Sequence, residues 1–306
     1  MSGINFKQCA VAYLDILGFK DFIAAAEVHG SRQFREFGNL LEAVDRQLDL
    51  TVAGTRKPHL FPKEVGLTAM HVSDSFVLSA PLHGKKLPGY SGLVAVSIKA
   101  IQLAHELLKM GFLLRGGVAV GGVYRTARNI FGTGYQSAFR AEVAAENPKI
   151  LLDDSAVSLL GTERHMWYKI GEFPIFMREG DQFILDTLYT HWSYVGSEGD
   201  IGVAKIFGGY KATIERKLSE LSSGRAREKW EWMARFFNAK QKDSSDLRSL
   251  SPIEPAKYSP FNFKPVIERP PDPFSDWAAP FTAPGKRVQI RIPGPPRKEG
   301  ESERGS

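Results

Sequence analysis

Two aspartates set inside apolar, strand-like runs constrain this chain more than any other feature. Tyr13-Leu14-Asp15-Ile16-Leu17 and Val72-Ser73-Asp74-Ser75-Phe76-Val77 each carry one carboxylate between hydrophobic neighbours. A charge so placed loses its hydration and needs a partner. Taken singly, Asp15 reads as a helix N-cap and Asp74 as a turn residue. Taken together, they call for a fold that brings two strand ends to one edge. Two hard carboxylates there suit magnesium or manganese, which take a few oxygen ligands and leave positions for phosphates.

The hydrophobic pattern supplies such a fold. Residues 8–17 read as a buried strand, broken by Gly18. A helix is expected from Phe19 to Val28, ended by Gly30-Ser31, and a second from Arg32 to Leu50, with Thr51–Pro62 as a loop. Val65–Val72 and Phe76–Ala80 form a hairpin with Asp74 at its tip. Leu93–Met110 has the period of an amphipathic helix, closed by Gly111. Phe112–Val120 returns as a strand, Gly121–Asn129 turns, Thr133–Glu146 is helical, and Lys149–Leu152 is a short strand. This order predicts an α+β class: an elaborated ferredoxin-like arrangement, an antiparallel sheet with helices on one face. Polymerase palm domains share the order, so it does not fix function. The core is expected in 1–155. Residues 156–244 extend the same domain, with a strand at Phe183–Leu188 and a charged helix from Tyr210 to Lys242. Residues 245–306 read as a Pro/Gly-rich irregular tail, with the last ten residues disordered.

Composition excludes several classes. The single cysteine, Cys9, rules out an internal disulfide or multi-cysteine zinc site and reads as a small buried hydrophobe. No apolar run is long enough to span a membrane, and the start MSGINFKQCA is a poor signal peptide, so a cytoplasmic location is expected. The net charge of +6 mildly favours an anionic ligand. Its excess sits in 211–242 and in the tail, as a solvated face. No aromatic-basic motif points to nucleic acid.

Four segments, in order, resemble the motifs of class III adenylate and guanylate cyclases. Leu14-Asp15-Ile16-Leu17-Gly18-Phe19 resembles the first metal motif, and His71-Val72-Ser73-Asp74-Ser75 the second, with serine where glycine usually precedes the aspartate. Leu114-Arg115-Gly116-Gly117-Val118-Ala119-Val120-Gly121 is similar to the strand that follows. Phe131-Gly132-Thr133-Gly134-Tyr135-Gln136-Ser137-Ala138-Phe139-Arg140 resembles the transition-state helix, where the family has an asparagine and, four residues on, an arginine. Gln136 and Arg140 keep that separation and share a helical face.

The resemblance implies roles. Asp15 and Asp74 would hold two divalent ions (Mn2+ or Mg2+), with the Ile16 carbonyl as a further ligand. Backbone amides of Leu17, Gly18 and Phe19 would meet the phosphates. Gln136 would position the ribose, and Arg140 would neutralise charge developing at the α-phosphate. At the base-reading positions, adenylate cyclases carry lysine and aspartate, guanylate cyclases glutamate and cysteine. This chain has Met70 and Asn129. That departure makes it similar to the Pycsar pyrimidine cyclases of bacterial antiphage defence. It implies UTP as substrate and cyclic UMP as product, a homodimer with composite sites, and a separate effector that binds the product. Cytidylate or purine cyclase activity stays open. So does a different class, an inactive cyclase-like module that senses nucleotide by dimer rearrangement.

Overall fold

The computed structural model describes residues 5–29, 32–45, 65–84, 87–126, 129–162, 175–189, 199–254 and 263–265. The expected loop 51–62, the Gly30-Ser31 break and the end of the second helix lie outside them.

Strand β1 (Lys7–Leu17) forms the spine of the sheet. It is flanked on one side by β3 (Ser75–Pro81) and on the other by β6 (Leu113–Arg125), both antiparallel. Beyond β3 lies the edge strand β2 (Thr68–Val72). Beyond β6 come β8 (Ile150–Leu152), β10 (Gln182–Leu185), β9 (Phe176–Glu179) and β11 (Phe263–Pro265). The short β7 (Ile130–Phe131) pairs with the end of β6. A separate two-stranded ribbon joins β4 (His83–Gly84) to β5 (Leu87–Ser91).

The α+β expectation holds, with two corrections. First, the sheet is mixed, because β8 runs parallel to β6. A parallel pair needs a crossover connection, and helix α4 (Thr133–Ala144) lies on that path. Second, the helices therefore cover both faces. Alternate residues of β1 (Ala10, Ala12, Leu14, Ile16) face helices α1 (Phe19–His29), α2 (Arg32–Asp45) and α3 (Gly92–Lys109). The intervening Cys9 and Val11 pack with Val77, Ala119, Val123 and Ala138 under α4. Helix α3 is buried all round except at Glu106 and Lys109, so it is a core helix and not a half-exposed one.

Strand β6 also runs through Gly121 and Gly122, where a turn is expected from the sequence. Gly121 serves close packing, as Gly117 does: a Cβ on Gly117 would meet the Ala138 carbonyl at 2.2 Å, and one on Gly121 the Gly134 amide at 2.6 Å. The β6 surface is pared down so that α4 can lie directly on the strand.

Past residue 152, α5 (Asp154–Thr162), β9 and β10 extend the same unit. The single charged helix expected from Tyr210 to Lys242 is two helices, α6 (Gly199–Glu220) and α7 (Arg225–Asp243), broken at Gly224. They build a second core around Phe207, Tyr210, Trp232, Phe236 and Phe237, which also takes in Leu113, Leu151 and Ala145. The packed fold continues beyond the expected boundary at 245. Leu247 and Ile253 are fully buried in that second core, and 263–265 adds the outermost strand. Residues 5–265 as described lie in one compact unit; the 267–306 unit is outside the described residues. No described helix is long and apolar enough to cross a membrane.

Candidate active site

Strand pairing does bring the two aspartates to one edge. Asp15 lies opposite Ser75 on β3, and the N–H of Ile16 donates to the carbonyl of Asp74 at 2.9 Å. Asp74 occupies the two-residue turn between β2 and β3, behind Ser73, whose φ of 57° is left-handed. That conformation is rare outside glycine and asparagine and is strained for serine. Gly18, at φ +82°, turns the chain from β1 into α1, so the first amides of a helix follow directly on the Asp15 strand. Ile16 sends its side chain into the α3 core, as does Phe19, while Leu17 packs toward the second core.

The electrostatics centre on a basic residue that the motif comparison gave no role. Arg115 sits opposite Asp15 on β6, with Nη2 3.3 Å from Asp15 Oδ2 and 2.5 Å from Glu142 Oε1. The Glu142 side chain is only 5% exposed. Burial raises the pKa of both carboxyls, opposed by the Arg115 charge; the Asp74 charge adds to the rise at each. From α7, Lys229 enters the same field. Its pKa is lowered by burial and by Arg115, and held up by Asp15 and Glu142. Glu142 is thus paired with Arg115 and not with Arg140. Arg140 is exposed and donates to Ser137 Oγ at 2.8 Å. Gln136 is exposed one turn earlier. Among the described residues, neither is bonded to Asp15 or Asp74.

The residues fit a divalent ion that substrate phosphates help to hold. Asp15 shares its one basic partner with Glu142, and Asp74 has no ion pair among the described residues. Repulsion between neighbouring carboxylates is what a cation relieves. No described cluster of three or more His, Cys, Asp or Glu residues could cage an ion by itself. Two carboxylates with positions left open match the habit of magnesium and manganese.

The sheet face that carries Asp15 continues away from the carboxylate edge. Tyr13 donates to Ser75 Oγ at 3.0 Å and meets Tyr135 and Phe139 of α4 edge-on. Met70 is half-buried and packs on the Cys9, Val11 and Val77 cluster. Cys9 is buried, as expected, and burial pushes its thiol pKa up. Asn129, by contrast, is exposed in the β6–β7 turn, where its N–H donates to Thr126 Oγ1. Sequence reasoning missed Glu142, Lys229 and Arg125. Only a half-apolar helix face carrying one acid, Ala138-x-x-x-Glu142, hinted at the first.

No protein-family model matches this chain, and no curated protein matches it. Among solved structures, it is similar to the monomeric guanylyl cyclase domain of the RhoGC fusion protein from the aquatic fungus Blastocladiella emersonii: 12% identity, TM-score 0.36, covering 59% of this chain and 95% of that one. It is also similar to the catalytic core of a rhodopsin-guanylyl cyclase with converted specificity in complex with ATPalphaS, at 12% identity and TM-score 0.35, covering 59% and 96%. A third is the guanylate cyclase domain of RhGC from Catenaria anguillulae in complex with GTP, at 13% identity and TM-score 0.33, covering 60% and 95%. The residues of the site, and not these likenesses, carry the functional reading.

Proposed function

We propose that this chain is a metal-dependent nucleotidyl cyclase that converts UTP to 3′,5′-cyclic UMP and pyrophosphate. One observation carries the proposal: Asp15 and Asp74 are apposed at a strand edge that leads through Gly18 into a helix N-terminus. An anionic triphosphate at that edge meets backbone N–H groups and the positive end of a helix dipole.

Asp15 and Asp74, with the Ile16 carbonyl, would hold the divalent ions. Bound there, such ions acidify the ribose 3′-hydroxyl and neutralise the leaving pyrophosphate. Amides of Leu17, Gly18 and Phe19 bind phosphate oxygens. Gln136 orients the ribose, and Arg140 takes up charge at the α-phosphate. Arg115 and Lys229 offset two of the three carboxylate charges gathered here, and Glu142 fixes the Arg115 side chain.

Gln136 and Arg140 do this work for a second subunit. Both are exposed on α4, and on the same helix Phe139 and Val143 are 43% and 60% exposed. Val72 at the edge strand and Phe131 are exposed as well. Apolar side chains beside two outward polar ones suit burial against a second copy, with each copy completing the other's site. Met70 in place of a polar base reader supports a pyrimidine, and the motif set supports a cytoplasmic second-messenger synthase of antiphage defence acting through a separate effector.

Incubation with each of the four ribonucleoside triphosphates and Mn2+, followed by mass analysis, tests the proposal. Cyclic UMP and pyrophosphate are the expected products. Pyrophosphate without a cyclic nucleotide, or no turnover of any triphosphate by a folded protein, would refute it.

A further inference from the structure

We infer that Arg125 is the residue that reads the base, and that it selects a keto group at the base edge. The inference rests on the cyclase reading and deepens it. Arg125 is the last residue of β6 and lies on the same face as Arg115, Cys9, Val77 and Met70 by strand alternation. Its side chain is half-buried and reaches across β1. Nη1 donates to Ser79 Oγ on β3 at 3.2 Å, and Nη2 to the carbonyl of Ala69 on β2 at 3.5 Å. Ala69 is the neighbour of Met70, the position where the purine enzymes keep a polar base reader.

Three features make this guanidinium a ligand-binding group and not a structural tie. Its partners are neutral: among the described residues no carboxylate pairs with Arg125, although burial works against its charge. Of the five N–H donors on a guanidinium, two are used among the described residues. Finally, the guanidinium lies beside a second hydroxyl: Thr68 Oγ1 is 2.9 Å from Ser79 Oγ, so donor and acceptor groups meet at one place.

The chemistry then discriminates. Arginine donates and never accepts. The 4-oxo group of uracil, or the 6-oxo group of guanine, accepts from it; the 4-amino group of cytosine and the 6-amino group of adenine oppose donor to donor. Ser79 and Thr68 hydroxyls, 2.9 Å apart, can accept the N–H beside the keto group. Met70 and Val77 provide an apolar wall with no preference of their own. Uracil over cytosine thus follows from one side chain.

The test compares kcat/KM for UTP, CTP, GTP and ATP, with thermal-shift binding of each, for the natural protein, Arg125→Met and Arg125→Lys. The natural protein is expected to favour UTP over CTP and GTP over ATP. Arg125→Met should cut the UTP/CTP ratio roughly tenfold to a hundredfold, the usual worth of a well-formed base contact. Arg125→Lys keeps the stem and charge, so it folds if Arg125→Met does not; it should give an intermediate ratio. A preference for amino bases, or a UTP/CTP ratio unchanged in a folded variant that still makes cyclic product, overturns the role of Arg125 and leaves the cyclase standing. Absence of both turnover and binding for every triphosphate overturns the two together.

Discussion

His105 ties the C-terminal helices to the sheet, and its buried imidazole makes that tie acid-labile. The ring is wholly buried on α3, with Nε2 3.1 Å from the Tyr189 carbonyl and Nδ1 3.0 Å from the Tyr210 hydroxyl of α6. A carbonyl only accepts, so Nε2 carries the proton and Nδ1 accepts from Tyr210. The neutral ring is therefore satisfied at both ends. Burial, aided by the charge of Lys240 and opposed by the Tyr189 carbonyl, lowers its pKa from 6.5 to about 4. Lys240, whose charge acts on the ring, is itself paired with Asp186 at 2.5 Å. Between those pH values the unfolded chain binds a proton that the folded one refuses. Stability is complete above pH 6.5 and falls as the pH drops toward 4, at about 1.4 kcal/mol per unit and about 3 kcal/mol in all. Urea unfolding of the natural protein and of His105→Gln, each at several pH values from 7.5 to 4.5, isolates this contribution, because other titrations cancel in the difference. The natural protein should lose most of its advantage over the variant across that range. Parallel stability curves would refute the reasoning, since they would mean that the folded ring accepts its proton as readily as the unfolded one.

Two further outcomes follow from the site and its support. Asp15→Ala and Arg140→Ala proteins, each inactive, should regain part of the activity after subunit exchange; no recovery where mixed dimers are demonstrated by differential tagging sinks the shared site. Gly117→Ala puts a methyl 2.2 Å from the Ala138 carbonyl and 2.5 Å from Ala141 Cβ, so it should cost about 1–3 kcal/mol and lower the melting temperature. An unchanged melting temperature would show that α4 can lift without cost.

Local pattern carried much of the fold because the relevant signals are short in range. The apolar run of β1, the hairpin around Asp74, the period of α3 and the pair Gln136 and Arg140 on α4 all lie within single elements or between adjoining ones. What stayed hidden depends on contacts between distant segments. Gly121 and Gly122 read as a turn because glycine is the usual turn residue; the service of Gly121 to α4 shows only once the helix is in place. Arg115 and Glu142 are 27 positions apart in sequence yet share one ion pair. Arg125 meets Ser79 across 46 positions. The break at 221–224 was masked because the helical patterns on either side are equally charged. The packed segment at 247–253 was obscured by the prolines and serines around two buried side chains, Leu247 and Ile253.

The left-handed Ser73 has a mechanical meaning. A serine held there gives up about 1–2 kcal/mol relative to its preferred conformations, and the pairing of β2 with β3 helps to keep it so. The turn is therefore a loaded spring with strand pairing as its latch. If β2, an edge strand, peels away, the serine relaxes, and Asp74 is left to β3 and to its backbone tie with Ile16 of β1. Whatever covers that edge strand also steadies the second carboxylate, so the apposition of Asp15 and Asp74 depends in part on the outermost strand on that side of the sheet.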